Sequence, residues 1–164
     1  MSSWRDPTAS VARDAPGHFR LRLMCLGDLA DVMRVERAAY PFPWTEGIFR
    51  DCLRVGYVCK LLEGETGAVG HGIMSIAAGE CHILNLCVHP DYQRRGLGRR
   101  MLSHLLDMAR ARGARSALLE VRCSNQAAFA LYDQLGFNQI AVRKDYYPGH
   151  GGRREDALVL AREL

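Results

Sequence analysis

The stretch HPDYQRRGLGRRML, residues 89–102, decides how this chain is interpreted. Two glycines, Gly96 and Gly98, lie two positions apart among four arginines, just before an apolar run with helical spacing. Three explanations are open: a tract that binds RNA, a loop that wraps a phosphate group, and a plain turn whose arginines face water. Features elsewhere in the sequence distinguish these three explanations.

The glycine pattern excludes two common phosphate-binding loops. A P-loop needs GxxxxGK[ST], which is absent, and the dinucleotide fingerprint fails because Met101 occupies the position of its third small residue. What remains is QRRGLG (93–98), between a predicted strand and a predicted helix. Glycine lets a ligand approach the backbone closely, and the free N–H groups at a helix start attract anions. The pattern favours an anion-binding loop and leaves the plain turn open.

The composition is typical of a globular protein. The chain has 164 residues, of which 48% are hydrophobic and 24% charged, and a net charge of +4. This charge permits an acidic ligand or an RNA-rich partner without requiring either. The six cysteines form no CxxC pair, so we expect no metal or redox motif, and reduced cysteines favour a cytoplasmic location. No run approaches 18 apolar residues, so we expect no membrane span.

Hydrophobic periodicity predicts eleven elements in the order β-α-α-β-β-β-α-β-α-β-β. The strands are expected at 18–24, 57–63, 68–78, 81–88, 116–121, 139–143 and 156–163. The helices are expected at about 28–39, 45–55, 96–112 and 124–137. The long third helix carries an apolar stripe of Leu97, Met101, Leu102, Leu105, Leu106 and Ala109. This order predicts an α/β (α+β) fold with a mixed sheet and helices packed on it.

The two ends of the chain differ in composition. Residues 1–17 are rich in serine, alanine, proline and charged residues, so we expect a disordered N-terminal extension. Residues 18–164 show no interior linker and no repeat, and their length suits a single domain.

Three polar side chains follow the loop at positions that suit catalysis. Glu120 lies among apolar residues in ALLEV (117–121). It faces water, or it is partly buried and would then be a useful base near neutral pH. Asn125 and Tyr132 lie seven residues apart on the predicted helix 124–137 and therefore share a face. Asn125 could bind an amide-bearing ligand and Tyr132 could supply a proton, although Tyr132 also fits an apolar core stripe.

Two segments, LNLCVHPDYQRRGLGRRML (84–102) and LLEVRCSNQAAFALYDQLGF (118–137), resemble the GNAT superfamily of acetyl-CoA-dependent N-acetyltransferases. Within it, the chain is most similar to the bacterial RimI type, which acetylates the N-terminal alanine of a small-subunit ribosomal protein. YPFPW (40–44), residues 119–148 and RREDALVL (153–160) carry this closer resemblance. The similarity covers about residues 19–164. It implies the GNAT fold, a mixed, mostly antiparallel seven-stranded sheet flanked by about four helices.

The resemblance also implies how acetyl-CoA would be held. The backbone of Leu86, Cys87 and Val88 would pair with the pantetheine arm and polarise the thioester carbonyl. Main-chain N–H groups of the loop would hold the pyrophosphate, from Arg94, Arg95, Gly96, Leu97, Gly98 and Arg99. Asn125 would contact the cofactor.

The same resemblance implies catalytic and substrate-binding roles. Glu120 would be the general base, through water, and Tyr132 the general acid to the departing thiolate. Phe42, Trp44, Tyr146 and Tyr147 would wall a groove for the peptide substrate. Phe42 and Trp44 could instead simply pack a corner between two helices, and the glycine- and arginine-rich GHGGRR (149–154) departs from the family pattern.

Amine chemistry favours an N-terminal substrate. At pH 7.4 roughly a fifth of an α-amine with a pKa of about 8 is neutral, against about a thousandth of a lysine side chain. We therefore expect acetyl-CoA-dependent acetylation of the N-terminal amine of a ribosomal protein that begins with alanine, by direct attack of the amine on the thioester. A cysteine nucleophile is not expected, because neither Cys87 nor Cys123 has a histidine base beside it in the sequence.

Two alternatives remain. One is a GNAT enzyme that acetylates lysine side chains or small amines. The other is an RNA-binding module, in which the basic loop contacts the backbone and Tyr146 and Tyr147 stack on bases. The RNA alternative leaves Glu120 and Asn125 without a role, so we expect no direct nucleic-acid partner.

Overall fold

The computed structural model describes residues 18–164, and the predicted N-terminal extension, residues 1–17, lies outside them. The strands are β1 (Arg20–Leu23), β2 (Val58–Gly64), β3 (Gly67–Ala77), β4 (Glu80–Val88), β5 (Ser116–Arg122), β6 (Asn138–Pro148) and β7 (Arg154–Glu163). The α-helices are α1 (Leu29–Ala39), α2 (Glu46–Arg54), α3 (Leu97–Ala111) and α4 (Gln126–Gln134). This element order is the predicted one.

All seven strands form one sheet in the order β1-β2-β3-β4-β5-β7-β6. β4 and β5 are parallel, and every other neighbouring pair is antiparallel. The parallel pair needs a crossover connection, which α3 supplies. The predicted mixed, mostly antiparallel seven-stranded sheet with four flanking helices is confirmed.

The parallel pair separates halfway along its length. β4 and β5 are paired only from Glu80↔Ser116 to Ile83↔Leu119. At this level β4 contains a bulge, since Met74 of β3 pairs with Ile83 while the preceding residue, Ile73, pairs with Asn85. Beyond the bulge β4 and β5 share no pairing, and a gap opens between them toward the glycine-rich loop.

The sheet is covered on both faces. All six predicted stripe residues of α3 are buried, and they pack in a cluster with Leu62 and Met74 of the sheet. A second cluster joins α1 and α2 to Leu61 and Ile73. Because neighbouring residues of a strand point to opposite faces, the two clusters lie on opposite sides of the sheet. No helix within residues 18–164 is long and apolar enough to cross a membrane.

The β6–β7 hairpin differs from the sequence prediction. We expected strands at 139–143 and 156–163 with a loop between them, but β6 continues to Pro148 and only residues 149–153 connect it to β7. The pairing is irregular between Arg143 and Tyr147, where Asp145 has a positive φ of 49°. The polar residues of this extended hairpin hide its strand character from a hydrophobic pattern.

Candidate active site

The glycine-rich loop presents backbone donors at the start of α3. Gly96 has a left-handed backbone with φ of 75°, immediately before the helix, and no side chain caps the first turn. The first N–H groups of a helix have no partner inside the helix, and the positive end of its dipole lies there. Gly98 is only half-buried, and a Cβ there would meet nothing closer than Leu131 Cδ2, at 3.5 Å. This arrangement suits an anion held by main-chain groups.

The arginine side chains of the loop contact neighbouring residues. The guanidinium of Arg95 lies 5.3 Å from the centre of the Tyr92 ring, and Arg99 donates to Oε1 of Gln134 at 2.6 Å. Arg94 has a positive φ of 62°, which is uncommon for a residue other than glycine. The sequence prediction assigns the anion contacts of this loop to main-chain N–H groups rather than to these side chains, and that assignment stays a prediction.

The edge of β4 that faces the gap carries backbone groups of Leu86 and Val88. The N–H of His89 donates to Val69 of β3 at 2.8 Å, so odd-numbered residues here direct their backbone groups toward β3. Leu86 and Val88 therefore face the gap, where the predicted pairing with the pantetheine arm would occur. Cys87 differs from the prediction, because its backbone groups point to β3.

The carbonyls at this edge already have partners. The Tyr40 hydroxyl donates to the carbonyl oxygen of Leu86 at 2.6 Å, and Gln93 Nε2 donates to that of Val88 at 2.9 Å. The N–H groups of Leu86 and Val88 are thus the backbone donors that this edge offers to a ligand.

The opposite side of the gap contains Asn125 and Tyr132. Asn125 lies just before α4, and its Oδ1 accepts a hydrogen bond from the N–H of Ala128 at 3.2 Å. Its side chain therefore caps the helix, a role that sequence reasoning did not assign. Tyr132 is 7% exposed and its ring packs against Phe137. Burial, with a smaller contribution from Tyr147, raises the pKa of Tyr132 well above its usual value, so the phenol keeps its proton.

A cleft of about 230 Å³ brings the predicted base and most of the predicted substrate wall together. It is lined by Trp44, His82, Ile83, Leu84, Glu120, Tyr146 and Tyr147. Phe42 is not among these lining residues. Its ring lies 5.2 Å from that of His150, between the substrate-side segments.

Glu120 projects from β5, where partly exposed and buried residues alternate, and its side chain is 14% exposed. Its Oε1 accepts a hydrogen bond from Arg143 Nε at 3.1 Å, and its Oε2 accepts one from the Tyr146 hydroxyl at 3.0 Å. The partly buried alternative therefore describes this carboxylate.

A buried polar cluster lies behind β4 and was not predicted. The Glu36 carboxylate lies 2.9 Å from Nε2 of His71 and accepts from Nδ2 of Asn85 at 3.3 Å. Its Oε1 also accepts from the backbone N–H of Trp44 at 3.0 Å. Glu36 thus fixes the connection between α1 and α2 that carries Trp44. The available signal was the position of this glutamate on the apolar stripe of α1.

Trp44 packs at the corner between the two helices and also borders the cleft; its substrate-side role stays a prediction. Its ring packs 5.3 Å from Phe49 in the core beneath α2, and the same side chain lines the cleft. The corner-packing role does not exclude the substrate-side role.

Glu36, His71 and Cys87 each offer a potential metal-ligand atom, and these atoms lie within 4.8 Å of one another. Hydrogen-bond donors already surround the carboxylate, which argues for a structural network. Sequence reasoning placed no histidine beside Cys87, so the proximity of His71 corrects that expectation. Burial raises the pKa of the Cys87 thiol, and the side chain is 3% exposed, so Cys87 still does not suit a nucleophile.

Comparison with known proteins adds to this geometry. The model of the acetyltransferase (GNAT) family matches residues 29–137. The chain belongs to the GNAT acetyltransferase family. It is 41% identical over 134 residues to the [ribosomal protein bS18]-alanine N-acetyltransferase of Escherichia coli (strain K12), across 82% of this chain and 90% of that protein. It is 34% identical to the enzyme of the same name from Haemophilus ducreyi, across 84% of this chain and 94% of that protein.

Solved structures agree. The crystal structure of the Escherichia coli ribosomal-protein-S18-alanine N-acetyltransferase matches with a TM-score of 0.84 and 37% identity, across 90% of this chain and 94% of that one. Ard1 from Thermoplasma volcanium matches with a TM-score of 0.80 across 89% and 97% of the chains, and at 23% identity it shows the shared fold alone. As a GNAT enzyme, this chain is an N-acetyltransferase that uses acetyl-CoA, and the predicted family and enzyme class are confirmed.

The site fits that cosubstrate. The uncapped start of α3 suits the pyrophosphate, and the gap-facing N–H groups of Leu86 and Val88 suit an arm that contains amides. The gap between β4 and β5 leads from the loop to the cleft that contains Glu120.

Proposed function

We propose that this GNAT acetyltransferase modifies the α-amine of a protein N-terminus, and that its substrate is a ribosomal protein of the bS18 type that begins with alanine. The observation that carries the proposal is the cleft where Trp44, Tyr146 and Tyr147 surround the Glu120 carboxylate. The names of the curated relatives, which cover most of this chain, support the same substrate.

Acetyl-CoA would be held by the residues that the geometry brings to the gap. Main-chain N–H groups would bind the pyrophosphate, from Arg94, Arg95, Gly96, Leu97, Gly98 and Arg99. Leu86 and Val88 would pair with the pantetheine arm. Asn125, which caps α4, would hold the start of that helix next to the bound cosubstrate. When bound, this cosubstrate supplies an acetyl thioester to the cleft.

Glu120 and Tyr132 would perform the proton transfers. Glu120 accepts, through water, the proton that the amine nitrogen loses as its bond to the acetyl carbon forms. Tyr132 donates its phenolic proton to the sulfur as the carbon–sulfur bond breaks. Backbone N–H groups of the β4 edge stabilise the carbonyl oxygen as it gains negative charge.

The cleft walls would select the substrate. Trp44 and Tyr147 supply flat apolar surfaces for a peptide backbone. Tyr146 is hydrogen-bonded to Glu120, beside which the substrate amine must bind. The space beside the carboxylate therefore favours a small first residue. A lysine substrate would bring an amine that is far less often neutral at cellular pH.

A ribosomal substrate implies a protein partner in the cytoplasm, without direct contact to nucleic acid. The six cysteines are free thiols, which agrees with a reducing compartment.

Tandem mass spectrometry after incubation with acetyl-CoA tests the proposal. Three peptides are compared: one that begins with alanine, the same peptide with a blocked N-terminus and an internal lysine, and one that begins with leucine. We expect label on the α-nitrogen of the alanine peptide and little on the other two. Efficient modification of the blocked peptide would overturn the proposal in favour of a lysine acetyltransferase.

A further inference from the structure

Two substrate-side segments meet at a single side chain, Arg122, which no predicted role uses. Its guanidinium carbon lies 5.3 Å from the centre of the Phe42 ring, in the connection between α1 and α2. It lies 4.5 Å from the centre of the Tyr147 ring, near the end of β6. The cation is thus in contact range of aromatic rings from both segments.

Hydrogen bonds fix the guanidinium in this position. Nη1 of Arg122 donates to the carbonyl oxygen of Pro148 at 2.8 Å and to Oε2 of Glu155 at 3.1 Å. The other oxygen of Glu155 accepts from the backbone N–H of Ser124 at 2.8 Å. Hydrogen bonds lower the pKa of Glu155 to about 2, and the bond from Ser124 makes the largest contribution. The Glu155 carboxylate therefore stays charged at neutral pH.

Arg122 also lies on the same face of β5 as the predicted base. Glu120 and Arg122 are two residues apart, and both are partly exposed while Val121 between them is buried. Tyr147, which contacts Arg122, lines the cleft and packs 5.0 Å from Tyr146. A chain of contacts therefore runs from Phe42 through Arg122 and the two tyrosines to Glu120.

We propose that Arg122 is a specificity-determining residue, which joins the Phe42 segment to the Tyr147 segment and thereby sets the width of the cleft at the first residue of the substrate. This inference rests on the proposed N-terminal substrate. The planar guanidinium can contact two rings and donate hydrogen bonds in its own plane at the same time. Lysine keeps the positive charge but cannot do both.

Steady-state kinetics of Arg122→Lys with peptides that begin with alanine and with leucine test the inference. We expect KM for the alanine peptide to rise about tenfold with little change in kcat, because substrate positioning is lost while the proton-transfer groups remain. We also expect the preference for alanine over leucine, as a ratio of kcat/KM, to fall by a similar factor. Affinity for acetyl-CoA should not change.

Arg110→Lys is the matched control. Arg110 pairs with Asp107 on the exposed surface of α3, at 2.8 Å and away from the cleft residues. The Arg110→Lys substitution should leave KM for the alanine peptide and the preference for alanine over leucine unchanged. Phe42→Leu removes one of the two rings, so it should reduce the preference alone and add little to Arg122→Lys, because both changes break the same junction.

Amide hydrogen exchange supplies a readout that needs no substrate. Arg122→Lys should increase exchange in residues 40–45 and in residues 146–153 together, while Arg110→Lys should increase it in neither. Wild-type α-amine acetylation together with an unchanged alanine preference in Arg122→Lys would overturn this inference alone. Failure of the wild-type enzyme to acetylate any α-amine would overturn the proposed function, and the specificity role with it.

Discussion

The Tyr146 hydroxyl of β6 donates a hydrogen bond to Oε2 of Glu120 of β5 at 3.0 Å, within the cleft that both residues line. One residue of this pair is the predicted base, and the other belongs to the predicted substrate wall. The side chain that would accept the proton is therefore oriented by the surface that would hold the peptide.

Replacement of Glu120 by glutamine should lower kcat by about 10²–10⁴, because shape is kept while the proton acceptor is lost. Tyr146→Phe removes only the orienting hydrogen bond and should have a smaller effect. Stopped-time assays across pH, with calorimetry for acetyl-CoA affinity, measure both. Wild-type turnover in Glu120→Gln would mean that positioning alone carries the catalysis.

Tyr132→Phe should also lower kcat by about 10²–10⁴ without weakening the binding of acetyl-CoA. The Tyr132 ring is buried against Phe137, so phenylalanine keeps the packing and removes only the proton donor. Tyr57→Phe, on the exposed surface outside the cleft residues, is the control and should retain full activity. An equal effect of the two substitutions would exclude Tyr132 as the acid.

Gly98→Val should abolish the binding of acetyl-CoA while the protein still folds. A Cβ at Gly98 meets Leu131 at an ordinary contact distance of 3.5 Å, so the penalty arises when a ligand must approach the backbone. Gly98→Ala should have an intermediate effect. Gly96→Val is less informative, since its φ of 75° strains any larger side chain. Isothermal calorimetry on variants with native melting behaviour measures the affinity for acetyl-CoA. Unchanged affinity in Gly98→Val would mean that the loop is a plain turn that does not bind the cosubstrate.

Much of this architecture follows from the sequence because its signals are local. The stripe from Leu97 to Ala109 predicts α3 and its buried face, and alternation predicts most strands. The separation of β4 from β5 could not be predicted, since it depends on pairing between segments far apart in the chain. The extended hairpin was missed for a related reason: Lys144 and Asp145 look like loop residues, yet Asp156 of β7 holds both of them.

The site was partly predictable in the same way. Glu120, Trp44, Tyr146 and Tyr147 do meet in one cleft, as the family resemblance implied. The buried Glu36 cluster could not be found from local pattern, because the hydrogen-bond partners of its carboxyl group, His71 and Asn85, come from different strands. The position of Arg122 could not be predicted either, because its guanidinium contacts aromatic rings from two segments that are far apart in the sequence.

Thiol reactivity tests the burial pattern without reference to function. Cys25 and Cys123 are exposed, while Cys52, Cys59, Cys81 and Cys87 are buried. Burial raises the pKa of Cys59 to about 12 and that of Cys81 to about 11, which suppresses their thiolates further. A colorimetric thiol titration of the native enzyme should therefore count two reactive groups, and six after unfolding.

The reactivity of the exposed Cys123 thiol should depend on pH. Desolvation and the nearby Glu155 carboxylate raise the pKa of Cys123, so its thiolate fraction and its reaction rate should keep increasing as the pH rises above neutrality. A native count of more than two would contradict the burial of Cys52, Cys59, Cys81 and Cys87.

The position of the acetyl group on an intact ribosomal protein tests whether this enzyme acetylates a protein N-terminus. Unmodified bS18 that begins with alanine is incubated with acetyl-CoA and the enzyme, and its mass and its N-terminal fragment ions are recorded. We expect one added acetyl group, on the α-nitrogen of the first alanine, and none with Tyr132→Phe on the same timescale. Acetyl groups on lysine side chains, with a free N-terminus, would contradict it.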